Sequence, residues 1–172
     1  MNKALFLDRD GVINIDKGYV YKFEDIEWCD GIFDLVEFAN KNGFIVVVLT
    51  NQSGVAKGMY KVADVLELHR RMNDVFLSKN LRIHDWIFCE EDDGPRRKPS
   101  PGMMIEASQK YQINLNESIM IGDKVTDVLN IEGPKTYLVK GQYSLDSLVV
   151  SERVQIFKNL RDILEKIKVE FN

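Results

Sequence analysis

Phe44-Ile45-Val46-Val47-Val48-Leu49 is a run of six apolar residues, four of them β-branched, closed by the polar stretch Thr50-Asn51-Gln52-Ser53-Gly54. A run this short and this uniformly apolar predicts a strand covered on both faces, the mark of a parallel sheet. Parallel strands need crossover connections, usually helices, so the rest of the chain has to alternate strand with helix. Ala4 to Leu7 is a second such strand. After Asp30, a candidate cap, Ile32, Leu35, Val36 and Ala39 fall at helical spacing, and Asn42-Gly43 stops that helix. Val62, Val65, Leu66, His69, Met72 and Phe76 mark the next helix, and Asp85 to Cys89 the next strand. Ser100 can cap a helix with Pro101 at its first position and Met104, Ala107 and Tyr111 along one side. Ser118 to Ile121 reads as a strand. A helical turn or two follows through Val125, Leu129 and Asn130, and Gly133-Pro134 precedes a strand from Thr136 to Val139. Leu145 to Val149 offers a turn of helix, Val154 to Phe157 a short strand, and Leu160, Ile163, Leu164 and Ile167 a terminal amphipathic helix. The expected fold is α/β, three layers around a central, mainly parallel, doubly wound sheet.

With 172 residues, 45% apolar and 29% charged, the expectation is a single globular domain spanning 1–172. A net charge of -4 gives no support for a nucleic-acid partner, and the one tight basic cluster, Arg96-Arg97-Lys98, is too short for a binding stripe. Cys29 and Cys89 are too far apart for a short disulfide framework and read as buried thiols of a reducing compartment. No signal-peptide pattern and no membrane-length apolar stretch is found, which leads to an expected cytoplasmic location.

The chemistry is carried by strand ends. Ala4-Leu5-Phe6-Leu7 runs into Asp8-Arg9-Asp10-Gly11, so two carboxylates follow a strand tip, where open α/β sheets place their ligands. In a parallel sheet the ends carrying Asp8 and Asp10, Thr50, and Gly122-Asp123 share one crevice. Asp8 can act as a nucleophile forming an aspartyl-phosphate. Asp10 is then placed to protonate the leaving oxygen and afterwards activate water. A carboxylate meets a phosphate dianion only with a hard cation nearby. Mg²⁺ held by Asp8, the Asp10 carbonyl and Asp123 supplies it. Lys98 and the Thr50 hydroxyl are suited to phosphate oxygens, with backbone N–H groups of Asn51 to Gly54 as a nest.

These residues resemble a known family. Phe6-Leu7-Asp8-Arg9-Asp10-Gly11, Val48-Leu49-Thr50-Asn51-Gln52-Ser53-Gly54, Arg97-Lys98-Pro99 with Pro101-Gly102-Met103, and Ile121-Gly122-Asp123-Lys124 with Asp127 match, in order, the four motifs of the haloacid dehalogenase superfamily of aspartate-nucleophile phosphatases. The resemblance covers about residues 3 to 140. It implies a Rossmann-like fold, the roles just given to Asp8, Asp10, Thr50, Lys98 and Asp123, and a supporting role for Asp127 in orienting Lys98 or metal-bound water. Within the superfamily the chain is most similar to the capless branch of heptose-bisphosphate phosphatases and histidinol-phosphatases. The loop Ile13 to Val20 favours the former, as does Arg97 beside Lys98. This implies a small sugar bisphosphate as substrate, with histidinol phosphate or another small sugar or polyol phosphate as the alternative.

Candidate substrate contacts are Arg9, Asp16, Tyr19, Asn51, Gln52, Ser53, Arg97 and Lys124. For Arg9 an ion pair is the competing role, for Tyr19 packing within the flap, and for Gln52 and Ser53 local turn hydrogen bonds. Val12 to Asp30, longer than the usual connection, is either a functional loop or a small folded flap. No insertion is long enough for a cap domain, so specificity falls to short loops. Many relatives carry a zinc loop ahead of the lysine motif. Here Cys89 stands alone, Glu91 occupies the place of a histidine, and Pro95-Arg96-Arg97 offers no thiols, so no structural zinc is expected. His69 and His84 read as core or surface histidines, Trp28 and Trp86 as hydrophobic anchors, and the protein as a monomer.

Overall fold

In the computed structural model, which describes residues 1–171, six strands form one sheet: β1 (Ala4–Leu7), β2 (Ile45–Asn51), β3 (Asp85–Cys89), β4 (Ile119–Gly122), β5 (Lys135–Val139) and β6 (Val154–Phe157). Their order is β3-β2-β1-β4-β5-β6 and every pairing is parallel. The order reverses between β1 and β4, so the crevice expected of a doubly wound sheet opens at their carboxyl ends. Four helices cover the faces: α1 (Ile32–Lys41), α2 (Val62–Ser78), α3 (Gly102–Tyr111) and α4 (Leu160–Phe171).

Side-chain alternation divides the core in two. Leu5, Leu7, Val46, Val48, Ile119 and Ile121 point to the face packed by Leu35 and Val36 of α1, Leu68, Met72 and Phe76 of α2, and Ile163 and Ile167 of α4. Ala4, Phe6, Val47, Leu49 and Met120 point to the other, against Met103, Met104 and Ala107 of α3. Both faces are dry, which is why strands β1, β2 and β4 read as unbroken apolar runs. Trp28 and Trp86 pack at the rim of the first core, with Trp28 edge-on to Phe76.

Local details depart from the sequence reading. Asp30 does not cap α1; Gly31 takes that position at φ 86° and the Asp30 carboxylate pairs with Arg161 at 2.8 Å. Ser100 does not cap α3 either, because Pro101 is the N-cap. The helical turns expected through Asn130 shrink to a 3-10 turn, Val125–Asp127. No helix forms over 145–149, whose backbone is turn and irregular. The 12–30 segment is a folded flap: Cys29 N–H donates to Ile13 carbonyl and Ile15 N–H to Glu27 carbonyl, a short antiparallel pairing centred on Asn14 and Trp28. Among the described residues no inserted cap domain interrupts the fold. No helix among the described residues is long and apolar enough to cross a membrane.

Candidate active site

Because all strands run the same way, Asp8 after β1, Thr50 near the end of β2 and Asp123 after β4 come to one edge. Asp8 N–H donates to the Ile121 carbonyl at 2.9 Å, carrying the β1–β4 pairing one step past the strand. Lys98 joins them from the loop before α3. Its ammonium donates to Asp8 Oδ1 at 2.9 Å and to Asp127 Oδ1 at 2.5 Å, with all three side chains almost fully buried. The corner carrying Lys98 is fixed by Asn51: Lys98 N–H donates to Asn51 Oδ1, and Asn51 Nδ2 donates to the Lys98 carbonyl, both at 3.0 Å. The Asn51 amide, expected on substrate, is therefore committed to holding the lysine in place.

The other carboxyl oxygen of Asp127 accepts from the Asp123 and Lys124 N–H groups, each at 3.0 Å. Both of its oxygens are thus spent on protein. Asp123, by contrast, has a buried Oδ1 with no partner. Asp8, Asp123 and Asp127 each bring one carboxyl oxygen within 4.8 Å of the others, the only such grouping of three acid, histidine or cysteine ligands among the described residues. Hard oxygen donors, one of them buried with no protein partner, fit Mg²⁺. Burial pushes the Asp8 carboxyl up to about 6, against the pull of Lys98. Burial and the nearby Asp8 push Asp123 up to about 8. Lys98 and Lys124 keep their protons despite burial, because the surrounding carboxylates outweigh it.

Asp10 is held differently. Its carboxylate accepts from Arg9 at both oxygens, from Asn14 Nδ2 at 3.0 Å and from Gln52 Nε2 at 3.1 Å. Arg9 corrects an expectation: the guanidinium is 0% exposed, bonded to Asp10, the Val20 carbonyl and His69, and does not reach the crevice. The intervening residue of Asp-x-Asp points inward, under the flap. His69 stays neutral, its ring held well below its ordinary value by burial and by Arg9. His84 accepts the Val46 N–H.

Two adjoining cavities form the crevice. One, of about 240 Å³, is lined by Asp8, Asp10, Ser53, Arg97, Lys98 and Lys124 among others. The second, of about 200 Å³, is lined by Asp16, Tyr19, Ser53, Tyr60, Lys124 and Tyr143 with Asp10. Ser53, Arg97, Lys124, Asp16 and Tyr19, among the candidate substrate contacts, thus line these cavities. Gln52 is only 2% exposed and bonds to Thr50, Asp10 and Tyr60. Asn14, Tyr60 and Tyr143 were missed by sequence reasoning. In the structure Gly54 makes room for one of them: a Cβ there would overlap the Tyr60 ring. Both cysteines are free thiols, Cys29 pushed up to about 12 by burial.

The family model of the polynucleotide kinase 3 phosphatases matches residues 6–146. A D-glycero-alpha-D-manno-heptose-1,7-bisphosphate 7-phosphatase of Campylobacter jejuni is 39% identical over 170 residues, covering 96% of each chain. A D-glycero-beta-D-manno-heptose-1,7-bisphosphate 7-phosphatase of Helicobacter pylori is 42% identical over 132 residues, 74% of this chain and 76% of that one. Among solved structures, a D,D-heptose 1,7-bisphosphate phosphatase from B. bronchiseptica, complexed with magnesium and phosphate, superposes with a TM-score of 0.87 at 25% identity, covering 98% and 99% of the two chains.

Proposed function

Since the chain belongs to the haloacid dehalogenase superfamily, closely related to the D-glycero-D-manno-heptose-1,7-bisphosphate 7-phosphatases, we propose that it removes the C7 phosphate of D-glycero-D-manno-heptose 1,7-bisphosphate. The products are heptose 1-phosphate and orthophosphate. The observation that carries the chemistry is the buried Asp8–Lys98–Asp127 contact beside Asp10 and the unpartnered Asp123 oxygen. The heptose substrate is supported by the 39% identity that runs through nearly the whole of both chains.

In this reading an Asp8 carboxylate oxygen attacks phosphorus. The bond from phosphorus to the C7 oxygen breaks, and Asp10 gives its proton to that oxygen. Asp10, now a carboxylate, takes a proton from water as the water oxygen attacks the aspartyl-phosphate, freeing orthophosphate and restoring Asp8. Lys98 and the Thr50 hydroxyl hold phosphate oxygens; Ser53, Arg97 and Lys124 line the route by which the sugar enters. Asp8, Asp123 and the Asp10 carbonyl would hold Mg²⁺, which supplies positive charge against the phosphate dianion. The carboxyl group of Asp10, oriented by Arg9, Asn14 and Gln52, serves the proton transfers, so its backbone oxygen is the one it would offer to the metal. We assign the whole span 1–172 to one capless, monomeric unit acting in the cytoplasm.

Steady-state phosphate release with Mg²⁺ tests this, on both anomers of the heptose bisphosphate, histidinol phosphate and hexose phosphates. A kcat/KM at least about 100-fold higher for one heptose anomer is the expected result. Equal values across the panel would remove the heptose assignment and leave a general phosphatase. Size-exclusion chromatography with light scattering near the 19.9 kDa of one chain checks the monomer.

A further inference from the structure

We propose that Tyr60, acting through the Gln52 amide, is a positioning residue for proton delivery by Asp10. The inference rests on the phosphatase reading above. An amide side chain has one acceptor oxygen and one nitrogen with two protons, and its two orientations differ only in which end faces which neighbour. The Tyr60 hydroxyl donates to Gln52 Oε1 at 2.7 Å. Gln52 Nε2 then faces Thr50 Oγ1 at 2.9 Å and Asp10 Oδ2 at 3.1 Å and donates to both. A reversed amide would set its oxygen against Asp10 Oδ2, an unfavourable pair of acceptors whenever Asp10 is ionised, as it is when it takes the proton of water. Tyr60 satisfies the Gln52 oxygen in the orientation that donates to Asp10, and without its hydroxyl that oxygen has no other partner among the described residues.

One consequence reaches the reacting atoms. The Asp10 carboxyl group is fixed in plane, with Arg9 and Asn14 on Oδ1 and Arg9 and Gln52 on Oδ2. Tyr60 is itself rigid. It is 7% exposed, its ring stacks on Tyr21 of the flap at 5.1 Å, and it fills the space left by the absent Cβ of Gly54. Burial also raises the Tyr60 hydroxyl above its ordinary value, so it remains a donor.

A purely structural tyrosine and a positioning one differ in leaving-group dependence. An alkyl phosphate needs a proton on its departing oxygen, whereas p-nitrophenolate leaves without one. kcat/KM covers only the steps up to that departure. The experiment compares wild type, Tyr60→Phe, Gln52→Leu and the double variant on the heptose bisphosphate and on p-nitrophenyl phosphate. Tyr60→Phe keeps the ring against Gly54 and Tyr21. It is expected to lose about 10-fold on the alkyl ester and less than about 2-fold on the aryl ester. Gln52→Leu, with the tyrosine intact, shows the same bias from the other end of the relay, and the double variant is no worse than Gln52→Leu alone. Equal losses on the two esters, no loss at all, or a double variant that loses the product of the two singles overturns the proposal. Failure of the phosphatase reading looks different, because the wild-type protein then releases phosphate from neither ester.

Discussion

Gly11 is the residue on which the metal site turns. It lies at φ 89°, and a Cβ there would overlap the Asp123 carboxyl group. Gly11→Ala is therefore both strained in its backbone and displaced against a ligand. Mg²⁺ affinity, followed by calorimetric titration, is expected to fall about 10–100-fold, as for disturbed ligand positioning elsewhere. Unchanged affinity would mean that Asp123 is not a ligand. Lys98 is the second residue of this kind. Among the described residues its ammonium is the only positive group bonded to Asp8, and it offsets part of the burial that pushes that carboxyl up. Lys98→Met preserves much of the volume and removes the bonded counter-charge of two buried carboxylates, Asp8 and Asp127. Breaking such a buried pair costs about 3–5 kcal/mol, and losing a phosphate donor about 100-fold or more in kcat/KM. Denaturant unfolding and steady-state kinetics read the two effects separately. A variant as stable and as active as wild type would show that Lys98 is neither a counter-ion nor a phosphate ligand.

At the scale of elements, two loops meet across the mouth. Asp16 in the flap accepts from Tyr143 at 2.8 Å and from Lys124 at 3.2 Å, and its carbonyl accepts from Gln142. Burial works against the charge on Asp16, yet the Gly18 N–H, the Tyr143 hydroxyl and Lys124 together hold its carboxyl below the usual range. The latch stays ionised at neutral pH. Tyr143→Phe removes one of its bonds without touching Asp8 or Asp10, so KM for the sugar phosphate is expected to rise about 3–10-fold with kcat within about 2-fold. A fall in kcat alone would place Tyr143 in the chemistry instead. This latch also marks the limit of what the sequence displayed. Strands β1, β2 and β4 were legible because each is buried on both faces, and their tips delivered Asp8, Thr50 and Asp123 to one edge by topology alone. Tyr143 and Tyr60 lie in segments with no periodicity, brought to the crevice by contacts distant in sequence, and nothing local distinguishes them from packed aromatics. Of the two roles open to Arg9 in the sequence, substrate contact and ion pair, the turn after β1 selects the second by directing the side chain under the flap. The segment after Asp123 looked helical, but the Asp127 side chain ties back to the Asp123 and Lys124 N–H groups and closes a single 3-10 turn.

For the molecule as a whole, the site sets how stability responds to pH and metal. Asp8 and Asp123 hold their protons up to about 6 and about 8 in the folded, metal-free protein, whereas an unfolded aspartate loses its proton near 3.9. Between these values the folded state binds more protons than the unfolded one. Stability from these two groups is thus fully present at low pH and lost as pH rises through about 6 and then about 8. Mg²⁺ requires both carboxylates ionised, so its binding displaces those protons and is stronger at higher pH. His69 acts oppositely: buried and neutral, it lowers stability as pH falls below its ordinary range. It does so whether or not metal is present, so the difference in Tm with and without Mg²⁺ cancels it. At a free concentration 100 times Kd, Mg²⁺ adds about 2.7 kcal/mol, roughly 5–10 °C in Tm for a chain of this size. At one fixed Mg²⁺ concentration the Tm difference should grow from pH 6 to pH 8.5. Titration calorimetry in buffers of different ionisation enthalpy should register proton release that shrinks over the same interval. A Tm difference that is flat across this range would mean that Mg²⁺ does not compete with protons at Asp8 and Asp123, and that the cation is held by other oxygens of the crevice.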